Sequence, residues 1–395
     1  MSDSKKTKLG SPLGLLLTLI VGFAFYFIIP AISGAGQTLA YSSIIDGITN
    51  DFTKQIYWFF MNFTEPNFFA GIFSGIMVIV GGFVAWRLSI KNSKYSGFDI
   101  CYGSSTMWPY VLASQLISLA LAIFVFGYIG WFDAAEGVTW IPTFIAVVGA
   151  PPSIMLLYGP SIPALLTGSI LGGLVCAPVS YWLGNTVIPM LGVPGVVANV
   201  TAMAISGIMI CMVVKILPFV KKVPVKPHRK TPKPEENVYS PLWSLRRALA
   251  EFTEPHFYGN EVASIFLLIG LLIDTVISGD MSGYGAGGQT MGALVLSQFI
   301  GAGVGIFLYA HKFEKGGWYA TYVPVVSVAP ACVLMFGGTL PVAIISGVLG
   351  GILGGPVAEF FSAKLPEDVH GTNANVLSMA LCTCIVAIVL QGLGF

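Results

Sequence analysis

Runs of about twenty apolar residues, separated by short polar stretches, recur along nearly the whole chain. Eleven can be marked, at roughly 13–33, 69–88, 109–130, 140–158, 162–183, 196–217, 262–279, 291–310, 318–336, 340–361 and 374–392. Each is long enough to cross about 30 Å of hydrocarbon as a helix. The runs are continuously apolar and do not alternate as outer-membrane barrel strands do. Backbone amides in lipid need partners within their own segment, which leaves helices. The expected fold class is therefore an all-α polytopic membrane protein. The first run follows Lys5, Lys6 and Lys8 but is longer than the apolar region of a signal peptide. No small-x-small cleavage site follows it, so an uncleaved helix is expected.

The pattern also repeats itself. Residues 140–179 lie over 318–357 without a gap at a constant offset of 178. Matched positions include Trp140/Trp318, Thr143/Thr321, Pro152/Pro330, Gly159/Gly337 and Leu171-Gly172-Gly173/Leu349-Gly350-Gly351. Phe63-Thr64-Glu65-Pro66-Asn67-Phe68 pairs with Phe252-Thr253-Glu254-Pro255-His256-Phe257, and Ser114-Gln115 with Ser297-Gln298. Ala198-Asn199-Val200 pairs with Ala374-Asn375-Val376. The offset drifts only from 189 to 176, as one duplicated unit requires. The chain then divides into a first helix (1–34), a first copy (35–217), a basic, proline-rich linker (218–239) and a second copy (240–395). Each copy opens with an amphipathic stretch, expected to lie along a membrane surface with Arg246 and Arg247 facing water.

Charge supplies the orientation. With the N-terminus in the cytoplasm, eighteen of the nineteen Lys and Arg residues fall on the inner side and only Lys54 outside. The positive-inside rule predicts this asymmetry. It places the C-terminus outside, in a plasma or inner membrane. Five spans per copy is an odd number, so the copies are expected to thread the bilayer in opposite senses, with broken or re-entrant segments near the binding site.

Composition agrees. Charged residues are 9% of the chain, against about 25% in soluble domains. A net charge of +1 gives no reason to expect a nucleic-acid partner. The six cysteines have no metal-like spacing and read as small packing residues. A phosphate-binding loop, a His-Glu-x-x-His pair and a Gly-x-Ser-x-Gly elbow are all missing, so an enzyme is not expected.

Three constellations could carry a ligand. The glycine-rich run Gly279–Thr290 and its counterpart Ser96–Thr106 lead into spans holding Ser-Gln, which nominates Ser105, Thr106, Gln115, Gln289, Thr290 and Gln298 as substrate contacts through helix N-termini and hydroxyls. A solvated, glycine-tolerant loop explains the same residues. Asn199, Asn373 and Asn375 are costly in apolar sequence unless they bond a partner, either a ligand or another helix. Asp274, Glu65, Glu254 and His370 are the candidates for ion coupling. The carboxylates before Pro66 and Pro255 could equally balance a helix dipole.

By span count and duplication this plan resembles the inverted five-plus-five transporters, such as the LeuT-like and NhaA-like groups. No motif carries that resemblance, so it assigns no residue a role. The expected function is a secondary transporter for a small polar or anionic metabolite, coupled to H+ or Na+, with no other cofactor and no bound metal. The alternatives are a phosphotransferase-type sugar permease subunit and a passive channel. Expected partners are the small-molecule substrate, the bilayer and, as an open option, a second copy in a homodimer.

Overall fold

A computed structural model describes residues 8–33, 39–225, 236–278 and 288–395. In chain order its main helices are α1 (Pro12–Ile32), α2 (Phe52–Met61), α3 (Ile72–Ile90), α4 (Trp108–Ala120), α5 (Ala150–Tyr158), α6 (Ile162–Thr186), α7 (Val196–Ile216), α8 (Pro241–Ala250), α9 (Glu261–Ser278), α10 (Gly288–Gly316), α11 (Ala329–Phe336), α12 (Leu340–Ser362) and α13 (Thr372–Gly392). Local chemistry starts several of them. Ser11 accepts from the Gly14 amide at 3.1 Å and Ser240 from the Trp243 amide at 3.2 Å, each just before a proline at the first helical position. That pairing is a strong helix start.

Among the described residues, nine helices are long and apolar enough to cross a membrane. They are α1, α3, α6, α7, α9, α10, α12, α13 and the stretch Ser105–Val125 around α4. The protein is thus compatible with a polytopic membrane protein. Two of the eleven expected spans are shorter. In place of 140–158 and 318–336 stand the apolar helices Ile145–Tyr158 and Pro324–Phe336. The first residues of both runs are non-helical. Prolines account for part of the shortfall: Pro142 lies ahead of the first helix, Pro151 and Pro152 open its second segment Ala150–Tyr158, and Pro324 opens the second helix, where a π-helical turn over Pro324–Val328 leads into Pro330. The first of these helices also breaks at Gly149 (φ −97°, ψ −124°). Hydropathy cannot distinguish a full crossing from an apolar half-helix with an extended lead.

Helices α3 and α9 pack along their lengths. Their closest approaches use sequence-matched glycines. A Cβ on Gly81 would stand 2.6 Å from the Phe266 Cβ, and one on Gly270 would stand 2.5 Å from the Ser74 Cα. Small residues are what let helices associate where surrounding lipid is as apolar as the contact itself. Helices α6, α7, α12 and α13 form a second packed group, with α7 against α13. Helix α1 leans on α8 and α10, where the Gly10 amide donates to the Phe307 carbonyl at 2.7 Å.

Candidate functional site

The two Phe-Thr-Glu-Pro turns meet inside the molecule. Each is closed by its threonine: Thr64 Oγ1 accepts from the Gly71 amide and Thr253 Oγ1 from the Asn260 amide, both at 3.1 Å. Phe68 and Phe257 then take left-handed backbone angles, φ 66° and 65°. A bulky residue adopts that conformation only when its surroundings impose it. The turns also exchange hydrogen bonds at matched positions. Asn67 Nδ2 donates to the Phe252 carbonyl at 2.8 Å, and His256 Nε2 donates to the Phe63 carbonyl. Gln298 Nε2 donates to the Asn67 carbonyl at 3.0 Å, and Gln115 Nε2 to the His256 carbonyl at 3.1 Å.

Behind each turn the chemistry diverges. In the first copy Trp58 Nε1 donates to Thr143 Oγ1 at 3.0 Å, and Thr143 donates to Asn62 Oδ1 at 2.7 Å. The matched residues in the second copy are Arg247, Thr321 and Glu251. Arg247 Nε donates to Glu251 Oε1 at 3.1 Å, Thr321 Oγ1 donates to the same oxygen at 2.5 Å, and Arg247 Nη2 pairs with Glu254 Oε1. Arg247 is 5% exposed, so it does not face water as its amphipathic helix suggested. Its guanidinium carbon lies 5.5 Å from the centre of the Phe98 ring and 5.6 Å from that of Phe313. Arg246, beside it, pairs with Glu261 and Glu236 at 2.8 Å.

A cavity of about 640 Å³ lies against both turns. Glu65, Glu254 and Asn199 line it, together with Phe68, Phe257 and Tyr322. Glu65 and Glu254 are 2% and 1% exposed and form its deep wall. Its exposed lining residues are Gly137, Thr139, Asn185, Gly195 and Met335. Ser180 Oγ donates to Asn199 Oδ1 at 2.7 Å, which turns the Asn199 amide within the wall. Asn375 stands one layer behind, within hydrogen-bonding reach of the Tyr322 hydroxyl.

The remaining expected contacts lie elsewhere. Gln115 and Gln298 are fully buried and hold backbone carbonyls, and neither lines the cavity. Gln298 also donates to the Val325 carbonyl at 2.7 Å, and Gln115 Oε1 accepts from the Tyr258 hydroxyl at 3.1 Å. Ser105 bonds Ser89 at 2.7 Å, and Thr106 shares its turn before α4. Gln289 and Thr290 begin α10, where Thr290 packs on Gly338. Most of the glycine-rich run that nominated them, 279–287, lies outside the described residues. Asn373 donates to the His370 carbonyl at 3.0 Å and packs on Gly207 of α7.

Two ion-coupling candidates act as helix caps. Asp274 of α9 accepts from the Phe73 amide at 2.9 Å and the Ser74 amide at 2.7 Å, capping α3 from a different helix. Its own helix is capped locally, by Asn260 Oδ1 accepting from Val262 and Ala263 at 2.9 and 3.0 Å. The residue matched to Asn260 is Gly71, which has no side chain to offer. His370 Nδ1 accepts from the Thr372 amide at 3.3 Å at the start of α13.

No protein-family model matches the chain, and no curated protein matches it significantly. The side chains that sequence reasoning passed over are Arg247, Glu251 and the aromatic walls Phe68, Phe257 and Tyr322. One signal was present. Arg247, Glu251 and Glu254 are spaced four and three apart, which stacks them on one helical face.

Proposed function

We propose that the protein is a secondary transporter that moves a small polar solute by alternating access, with H+ or Na+ as the coupling ion. The observation that carries this reading is the cavity walled by both Glu-Pro turns. Its deep residues come from matched positions of the two sequence copies. Its exposed rim comes from segments that the Lys and Arg distribution puts on the extracytoplasmic side.

The helix contacts support the same reading. Every main contact within the first copy has a counterpart in the second: α2 with α3 and α8 with α9, α4 with α6 and α10 with α12, α6 with α7 and α12 with α13. Between copies, α3 meets its own match α9, and α7 meets its match α13. Matched elements touch one another when they flank a two-fold axis. An axis in the membrane plane would give two conformations of similar energy, open to opposite sides, as alternating access needs. A rim on one side fits one end-state of a carrier better than a channel, which needs two openings.

Reconstitution into proteoliposomes tests the reading. Saturable counterflow of a solute, with net uptake collapsed by ionophores, is the expected result. Flux that rises without saturation would support the channel. Uptake that needs cytosolic phosphoryl carriers would support the phosphotransferase permease.

A further inference from the structure

The loops before α7 and α13 are one element in two settings. Gly192-Val193-Pro194-Gly195 lies over Asp368-Val369-His370-Gly371 at the offset of 176 that also matches Asn199 to Asn375. The first loop stands open: Val193, Pro194 and Gly195 line the cavity. The matched Val369, His370 and Gly371 do not. Val369 is 5% exposed, the His370 ring centre lies 6.1 Å from that of Phe257, and the His370 backbone is within hydrogen-bonding reach of the Cys211 thiol of α7. Because Phe257 lines the cavity, the second loop is shut against the back of its wall.

Each loop is tied to the last helix of the opposite copy, again at matched positions. Lys215 of α7 pairs with Asp368 at 2.6 Å, and Lys222 stands 3.9 Å from the same carboxylate. Gln391 of α13 is the match of Lys215, and it donates to the carbonyl of Gly192, the match of Asp368, at 3.1 Å. The clasp is therefore ionic at one face of the molecule and neutral at the other. The ionic face is the one that the Lys and Arg distribution makes cytoplasmic. Chain beyond α7 steadies it, with Val220 buried and the Val223 amide donating to the Tyr158 carbonyl at 2.7 Å.

The Lys215 and Asp368 side chains are 49% and 33% exposed, so their pair adds little to folding. It acts instead on a choice between conformations. Two matched halves make the outward-open and inward-open states close in energy. A contact present in only one of two such states shifts their ratio by its own free energy. For an exposed ion pair that is a factor of up to about five.

Resting on the transport reading above, we infer that loop 368–371 is the inner gate of the cavity and that the Lys215–Asp368 pair is its latch, favouring the outward-open state. In the opposite state the latch parts, loop 368–371 leaves α7, and loop 192–195 closes on α13.

Amide hydrogen exchange on the purified full-length protein in lipid nanodiscs reads both loops at once. Asp368→Asn should speed exchange over 368–371 and slow it over 192–195, by up to about fivefold. Lys215→Gln should act in the same direction but less, since Lys222 remains. Asp368→Glu keeps the charge and should resemble the natural protein. High salt should reproduce the Asp368→Asn pattern in the natural protein and leave that variant unmoved. The latch can also be moved to the outer side. Gly192 has φ 61°, which aspartate tolerates better than most side chains, and a Cβ there meets nothing within 4 Å. Gly192→Asp with Gln391→Lys should therefore shift both loops as Asp368→Asn does. Faster exchange at 368–371 without slowing at 192–195 would make the pair a local staple and overturn the inference, as would no change at either loop. Counterflow of glucose, alanine, succinate and choline in proteoliposomes separates the two readings. Counterflow of any of these without reciprocal exchange would keep transport and sink the latch, whereas reciprocal exchange with counterflow of none would keep the gate and sink transport.

Discussion

The two Glu-Pro turns share a backbone but not the chemistry behind it. Trp58, Asn62 and Thr143 close the first with neutral hydrogen bonds, whereas Arg247, Glu251 and Thr321 close the second with a buried ion cluster. The shape of the turn therefore does not require charge. What the second copy gains is a pair of ionised groups near a cavity, at the cost of stripping them of water. A buried ion pair gives little net stability over an apolar replacement, yet breaking it from one side is expensive. Neutral packing carries no such exposure to a single mutation.

That contrast gives the largest expected effect. Arg247→Met should destabilise the protein by about 3–5 kcal/mol, since Glu251 and Glu254 would stay buried without their guanidinium. Trp58→Phe, which removes the matched donor of the first copy, should cost about 1–3 kcal/mol. Adding Glu251→Gln to Arg247→Met should recover part of the loss, because it removes one of the stranded charges. Thermal midpoints in mild detergent check all three. A double variant less stable than Arg247→Met would show that the cluster is not held together by charge.

The caps of α3 and α9 sharpen the comparison at a second place. Asn260 caps its own helix, while Gly71 leaves α3 to be capped by Asp274 across the contact. A Cβ on Gly71 would stand 1.9 Å from Asp274 Oδ2, so one arrangement excludes the other. Gly71→Asn should therefore be severely destabilising by itself. Asp274→Ala should cost about 1–2 kcal/mol, the usual worth of an N-cap. The double variant restores a local cap and should be more stable than Gly71→Asn alone. If the two effects simply add, Asp274 is not the group that Gly71 makes room for.

The buried glutamines come next. Gln115→Leu and Gln298→Leu each strand a buried carbonyl and should cost about 1–3 kcal/mol. The two losses should be similar, because Gln298 serves the carbonyls of Asn67 and Val325 while Gln115 serves the His256 carbonyl and the Tyr258 hydroxyl. A loss well below about 1 kcal/mol in either variant would argue against these contacts as its main role.

How much of this was legible beforehand depends on range. The apolar runs and the internal match depend on neighbours in sequence, and both could be read. The short helices Ile145–Tyr158 and Pro324–Phe336 were half legible, since their prolines were visible but their apolar content imitates a full span. Gln115 and Gln298 were chosen as ligand contacts because glycine-rich runs lead into the spans that hold them. Such a run does not show which partner a buried amide takes, and here the partners are carbonyls of His256 and Asn67, far off in the chain. Asp274 is the same case, though here the copies held a clue: an asparagine cap in one, a glycine in the other, and an unmatched acid on the neighbouring helix. Glu65 and Glu254 were named from their turn alone, and they do line the cavity. Arg247 was misjudged because an amphipathic helix shows its polar face without saying whether that face meets water or buried acids.

The smallest expected effect concerns His370, whose matched position in the first copy is the apolar turn before α7. Enclosure pushes its imidazole down from the usual value of about 6.5 to about 4. The ring accepts from the Thr372 amide through Nδ1, so the capping form is neutral. A group held below its ordinary value binds protons more readily in the unfolded chain, so stability rises with pH. Its contribution is complete above about pH 6.5 and is lost as pH falls towards about 4. Asp368 nearby is held low by Lys215, so it stays ionised through that window. Asparagine at 370 keeps a capping oxygen but cannot titrate. His370→Asn should therefore match the natural protein near neutral pH and become the more stable of the two on acidification, with the gap in thermal midpoint opening below about pH 6. A gap constant with pH would mean that the imidazole does not gain its proton within the folded range, and the cap would then be insensitive to acid.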